Sequence, residues 1–176
     1  MKFGTSGLRG LVSDMTDEAC AAYVAAFLVH LSRDGHAPEA LLVGRDLRPS
    51  SPRIAAACRA AARRAGVVAI DCGCLPTPAL ALAAVERRLP AVMVTGSHIP
   101  FDRNGLKFYR ADGGEIAKAD EAGIVAALEA PAPAAAPPAG DRLDDDARAR
   151  YAARALDFFP AAALTGMRIG VWQHSA

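Results

Sequence analysis

Residues Ala40–Ile70 read ALLVGRDLRPSSPRIAAACRAAARRAGVVAI, and the order of patterns within them decides the fold. The first five residues, Ala40 to Gly44, are a short continuous apolar run, the signature of a strand buried on both faces. Ser51 then offers an N-cap with Pro52 at the first helical position, Arg63 and Arg64 fall in the last turn, and Gly66 supplies the stop. Val67 to Ile70 is apolar again. A strand, a helix and a second strand within about 30 residues make a unit that places its strands parallel in one sheet.

The same alternation runs outward from this stretch. Upstream, Cys20, Tyr23, Val24, Phe27, Leu28 and Leu31 fall at helical spacing between Thr16 and Arg33, with Gly35 beyond. Downstream, Thr77-Pro78 repeats the cap-plus-proline start, Arg87-Arg88 before Pro90 repeats the basic ending, and Ala91 to Val94 is the next buried strand. Leu106 to Tyr109 is a shorter strand that follows without an intervening helix, so it is expected to run antiparallel at the sheet edge. Further helices are expected near Asp120–Leu128 and Asp144–Phe158. The segment Pro131–Gly140, PAPAAAPPAG, reads as an exposed, semi-rigid connector. The expected fold is a three-layer α/β/α domain with a mixed, mostly parallel sheet.

The 176 residues provide for one ordinary domain, and 52% hydrophobic content allows a sizeable core. A formal net charge of +1 lacks the basic excess of nucleic-acid binders. No apolar run approaches the roughly 20 residues that span a bilayer, and the N-terminus lacks the apolar core of a secretory signal. Cys20, Cys58, Cys72 and Cys74 contain no C-x-x-C pair and read as reduced, buried thiols of a cytoplasmic protein.

Ligands of open α/β sheets gather at the carboxyl ends of the strands. Those ends carry Arg45, Asp46 and Arg48 after the first strand, and Thr95-Gly96-Ser97-His98 after the third. At the N-terminus, Gly4-Thr5-Ser6-Gly7-Leu8-Arg9-Gly10 places glycines around two hydroxyls and a guanidinium, a composition able to approach an anion. By position alone Ser97 is a turn residue, and Lys107 is a solvent-facing lysine guarding a strand edge. As a nucleophile Ser97 would need a base, and adjacent side chains ordinarily diverge, which counts against His98. A hydrolase reading wants G-x-S-x-G where this chain has T-G-S-H-I-P. The cations Arg9, Arg45, Arg48, Arg103 and Lys107 suit a phosphoryl group instead. His30, His36 and His174 have no companion ligands, and Asp102 reads as part of a turn.

Taken together, FGTSGLRG at the start, GRDLRPSS in the forties, LPTPAL near Pro76 and TGSHIPFDRNGLKFY resemble the first domain of the α-D-phosphohexomutases, the phosphomannomutase/phosphoglucomutase superfamily. The resemblance implies that Ser97 carries a phosphate and exchanges it with a hexose monophosphate through a bisphosphorylated intermediate. It implies that Lys107 assists as general acid or base, that Arg9 lies against the phosphoserine and that His98 stands beside it. Thr5, Ser6, Arg45 and Arg48 are expected to bind substrate or phosphate. Mg²⁺ would sit on a phosphate oxygen of Ser97, with its remaining ligands in a D-G-D-x-D-R motif absent from this chain, and a hexose 1,6-bisphosphate would act as activator. Residues 1–165 would form the first domain, and 166–176, beginning a strand at Met167–Trp172, the start of a second; such a fragment would be inactive alone. Two positions depart from the usual loop: Gly96 where alanine is common, and Ile99 where asparagine is common. A non-catalytic phosphate-binding or assembly module on the same scaffold is the alternative expectation.

Overall fold

A computed structural model describes residues 1–4, 6–33, 38–129 and 139–172. The chain runs β1 (Lys2–Phe3), β2 (Leu8–Leu11), α1 (Asp17–Arg33), β3 (Ala40–Arg45), α2 (Ser51–Arg64), β4 (Val68–Cys74), α3 (Thr77–Arg87), β5 (Ala91–Val94), β6 (Arg103–Tyr109), α4 (Lys118–Leu128), β7 (Asp141–Leu143) and α5 (Ala147–Phe158). The seven strands form one sheet in the order β1-β2-β6-β5-β3-β4-β7. Strands β5, β3, β4 and β7 pair in parallel. Because β6 is antiparallel to both β5 and β2, and β2 to β1, strand β2 also runs with β5. Five strands therefore point one way, and the sheet is mixed and mostly parallel.

The period-2 pattern of β3 sorts its side chains into the two outer layers. Leu41 and Val43 join the core under α1, α2 and α4, with Val24, Phe27, Ile54, Cys58 and Ile124. Ala40 and Leu42 join the core under α3 and α5, with Leu80, Ala83, Ala84 and Ala147. Helix α2 presents mostly alanine to the sheet, which brings its backbone close. The bulk is supplied instead by Phe27 and Phe108, whose ring centroids lie 5.0 Å apart. Gly44 is required where α3 crosses β3, since a Cβ there would stand 2.6 Å from Leu75 Cδ2.

Several expectations change. The strand at Leu106–Tyr109 is longer, Arg103–Tyr109, and antiparallel as expected, but it lies inside the sheet. The reason is the N-terminal segment: Leu8–Leu11 pairs with Arg103–Leu106 and covers that edge, so much of FGTSGLRG is hairpin. Ser50, not Ser51, occupies the cap of α2, and Pro76 that of α3, and neither helix has a side-chain cap bond. The expected strand Met167–Trp172 does not form. Those residues pair with no described strand, and Val171 and Trp172 are exposed. A strand needs a neighbouring strand for its N–H and C=O groups, and here the Met167 N–H donates to Leu164 O in a turn instead. Most of the Pro131–Gly140 connector lies outside the described residues, as do Gly35, His36 and His174. Cys20, Cys58 and Cys72 are buried free thiols, and burial pushes Cys20 up to about 11 and Cys72 up to about 12.

Candidate functional site

The loop between β5 and β6 leaves the sheet at its carboxyl edge. Thr95 is still held to the sheet, its N–H donating to Gly105 O at 3.0 Å. Two residues on, the backbone turns sharply: Ser97 has φ of 49°, one of two non-glycine positive values among the described residues. Such a conformation costs a non-glycine residue on the order of 1 kcal/mol and persists only where surrounding bonds hold it. The turn brings the Ser97 and His98 side chains together, with Oγ 3.2 Å from Nδ1. The expectation that neighbouring side chains diverge is thus overturned, and the left-handed turn is the reason. Both residues are exposed.

The cations expected around Ser97 divide into two groups. Arg48 is only 5% exposed and packs behind the loop rather than in its mouth. Its Nη1 donates to Pro100 O at 2.7 Å and Arg103 O at 2.9 Å, and its Nη2 to Ile99 O at 2.6 Å and Ser97 O at 3.2 Å. Both Nη groups thus face loop carbonyls, while Nε has no hydrogen-bond partner and stands 3.5 Å from Asp46 Oδ2. Gly96 makes this packing possible, because a Cβ there would come within 2.6 Å of Nη1 and closer still to Cζ.

Arg9 and Arg45 behave differently. Neither has a carboxylate within ion-pairing distance among the described residues. Arg9 pairs in register with Gly105 on β6, the residue that holds Thr95, and Arg45 pairs with Val94 at the end of β5. The two half-buried arginines thus flank the strand end that presents Ser97. Arg103 is exposed at the start of β6.

Lys107 lies within the sheet and is not an edge guard. Its Nζ stands 3.8 Å from Glu115 Oε2, with side-chain exposures of 20% and 32%. The other Glu115 oxygen accepts from Ser6 Oγ at 2.6 Å. Glu115 therefore links the N-terminal hairpin to Lys107, and sequence reasoning missed it; the D-G-G-E turn was its only signal. Gly7 lets the hairpin pass, its φ of 73° placing a hypothetical Cβ 2.6 Å from Leu106 O. Thr5 lies outside the described residues.

Asp46, noted in sequence at the strand end but given no role, organises the loop. Its Oδ1 accepts from Ser51 Oγ at 2.5 Å and Arg48 N–H at 3.0 Å, and its Oδ2 accepts from Thr95 Oγ–H and Gly96 N–H, both at 3.0 Å. Buried Asn104 completes the support, donating to Ser50 Oγ at 2.8 Å and Ser51 Oγ at 3.0 Å. The signal available in sequence was the G-R-D-x-R spacing at a strand end.

Fold and site together define a layered α/β domain that presents one serine, strained and exposed, between unpaired arginines. Residues 1–134 match the family model described as phosphoglucomutase/phosphomannomutase, alpha/beta/alpha domain I, and the chain belongs to that family. It is 49% identical over 185 residues to a phosphomannomutase of Sinorhizobium fredii (strain NBRC 101917 / NGR234), covering 99% of this chain and 38% of the relative. It is 45% identical over 178 residues to a phosphomannomutase of Salmonella muenchen, covering 100% and 36% respectively. Among solved structures, a phosphoglucomutase/phosphomannomutase family protein from Burkholderia thailandensis superposes with a TM-score of 0.72 at 25% identity, over 87% of this chain and 35% of that one. The chain thus spans little more than a third of the length of these relatives.

Proposed function

We propose that the chain is the serine-bearing first domain of a phosphohexomutase of the phosphomannomutase/phosphoglucomutase type, with Ser97 as the phosphoryl carrier. The observation behind this reading is Ser97 itself, exposed at a strand end, its Oγ against His98 Nδ1 and flanked by Arg9 and Arg45. In the first half-reaction the Oγ–P bond breaks while a hydroxyl oxygen of a hexose monophosphate bonds to phosphorus. The proton of that hydroxyl passes to the neutral amine of Lys107 and is returned through solvent to Ser97 Oγ, which leaves as the alkoxide. The second half returns the other phosphoryl group of the bisphosphate to Ser97 by the reverse steps. Arginines near the transferring group disperse its charge in ground and transition states.

The described residues contain no group of three or more His, Cys, Asp or Glu able to hold a metal ion. The chain's contribution to a Mg²⁺ site would be one phosphate oxygen on Ser97. Hexose monophosphate is the substrate class, hexose 1,6-bisphosphate the activator and the cytoplasm the location, consistent with four free thiols. No described helix is long and apolar enough to cross a membrane. Residues 1–165 are read as the domain, and the 176 residues alone as lacking mutase turnover.

Incubation of the full-length protein with glucose 1,6-bisphosphate, followed by intact-mass analysis and peptide mapping, should place one phosphate on Ser97. A Ser97→Ala protein that keeps normal mutase activity overturns the assignment. Robust conversion of mannose 1-phosphate by the 176 residues alone overturns the statement that they are inactive.

A further inference from the structure

We infer that Asp46 is a positioning residue for Ser97, acting through Thr95 and Gly96 to hold the serine in its left-handed conformation. The inference rests on the reading of Ser97 as the phosphoryl carrier. Asp46 touches neither Ser97 Oγ nor the mouth of the site. Its Oδ2 accepts from Thr95 Oγ–H and Gly96 N–H at 3.0 Å each. The first of these bonds orients the threonine so that Oγ1 can in turn accept from Ser97 N–H, at 2.9 Å. The other end of the serine is fixed from the same short segment, because Arg48 Nη2 donates to Ser97 O at 3.2 Å. Arg48 Nε lies 3.5 Å from Asp46 Oδ2, so one carboxylate orders both restraints.

This chain of bonds accounts for two facts together. Ser97 keeps a φ of 49° although it is not glycine, and Thr95 is nearly buried although it is polar. Without the Thr95 Oγ1 acceptor, the Ser97 N–H is free to relax to an ordinary negative φ. The Oγ would then swing away from His98 Nδ1, from which it now stands 3.2 Å. Asp46 itself is anchored from below by Ser51 Oγ, which accepts from Asn104, so the restraint is tied to α2 and β6 rather than to the loop. Misplacement of a reacting atom by about 1 Å is enough to cost roughly 100-fold in rate.

The test uses Asp46→Asn, Thr95→Val and Thr95→Ser in the full-length protein. It reads the single-turnover rate of phosphoryl transfer from glucose 1,6-bisphosphate to Ser97, the KM for hexose phosphate and the melting temperature. Thr95→Val should slow phosphorylation of Ser97 about 10- to 100-fold at nearly unchanged KM. Thr95→Ser, which restores the hydroxyl, should recover most of the rate. Asp46→Asn should fall with Thr95→Val, and the Asp46→Asn/Thr95→Val double variant should lose little more than either single one. If Asp46→Asn does not fold, the Thr95 pair carries the test. Wild-type phosphorylation rates in folded Thr95→Val overturn the positioning role while leaving Ser97 as carrier. Undiminished phosphoryl uptake in Ser97→Ala instead overturns the reading on which the inference rests.

Discussion

Replacing Arg48 by methionine removes the guanidinium and keeps most of the aliphatic stem. Four carbonyls, those of Ser97, Ile99, Pro100 and Arg103, then lose their donor. A hydrogen bond from a charged group contributes about 1.5–3 kcal/mol, so the four would sum to roughly 6–12 kcal/mol if none were replaced. Two effects reduce that sum. Ser97, Pro100 and Arg103 are exposed, so water can reach their carbonyls, and keeping a cation at 5% exposure is itself unfavourable by several kcal/mol. The net cost should be about 2–4 kcal/mol, a large share of the 5–15 kcal/mol typical of a domain. For a chain of this size that lowers the melting temperature by roughly 4–16 °C. The loop should also open locally. Amide exchange at Ile99 and Arg103, whose N–H groups bond Gly96 O and Pro100 O, should accelerate by about 30- to 1,000-fold. Arg48→Lys should lose more than half of the same amount, because one ammonium cannot reach four carbonyls in a planar fork. Unfolding of Arg48→Met within about 1 kcal/mol of wild type, with unchanged exchange at those amides, would refute the reasoning.

Three further outcomes follow from the geometry. Gly7→Ala should destabilise the chain by about 2–4 kcal/mol in urea unfolding, since it combines a left-handed backbone with a Cβ against the β6 carbonyl of Leu106. Gly96→Ala should drive the guanidinium of Arg48 off the loop, seen as faster amide exchange at Ile99, whereas Ile99→Asn should leave that exchange unchanged. The third concerns acid. Hydrogen bonds from Arg150 hold the Asp144 carboxyl below its ordinary value against the effect of burial, with the Arg87 charge assisting. At Asp120, burial pulls upward but is outweighed by bonds from His30 and the Ala117 N–H and by the Arg110 charge. Both carboxyls bind protons more weakly folded than unfolded. Their contribution to stability is therefore complete above about pH 4–5, where the unfolded carboxyls are ionised, and is lost as pH falls through the folded values. Melting temperature recorded from neutral pH down to about pH 3 should fall less steeply in Asp144→Asn than in wild type, from a lower starting point.

The layered fold was legible because burial writes itself into the period of apolar residues. ALLVG and AVMV are continuous apolar runs because both faces of β3 and β5 are covered, and α1 and α2 show one apolar stripe each. What escaped was structure made by pairing rather than by burial. Leu8–Leu11 alternates too briefly to announce a strand, and only its register with β6 turns an apparent edge into an interior position. The same holds at the site. Ordered motifs singled out Ser97, Lys107 and Arg9 as candidates, but not the backbone angle that joins Ser97 to His98. Nor could sequence separate Arg45, which has no carboxylate partner among the described residues, from Arg48, which faces carbonyls. Arg45 and Arg48 stand three residues apart with similar local surroundings, and only their depth in the fold distinguishes them.

That distinction also explains the two departures in the loop. Ile99 replaces a residue able to hydrogen-bond through its side chain, yet the contact made here at that position is through its backbone carbonyl, 2.6 Å from Arg48 Nη2. Any side chain leaves that oxygen in place. Gly96 is the opposite case, because the space above its Cα is filled by the guanidinium itself. The loop is therefore shaped by an interior arginine and a carboxylate behind it. Ser97 and His98 are exposed on it, and its shape depends on buried residues.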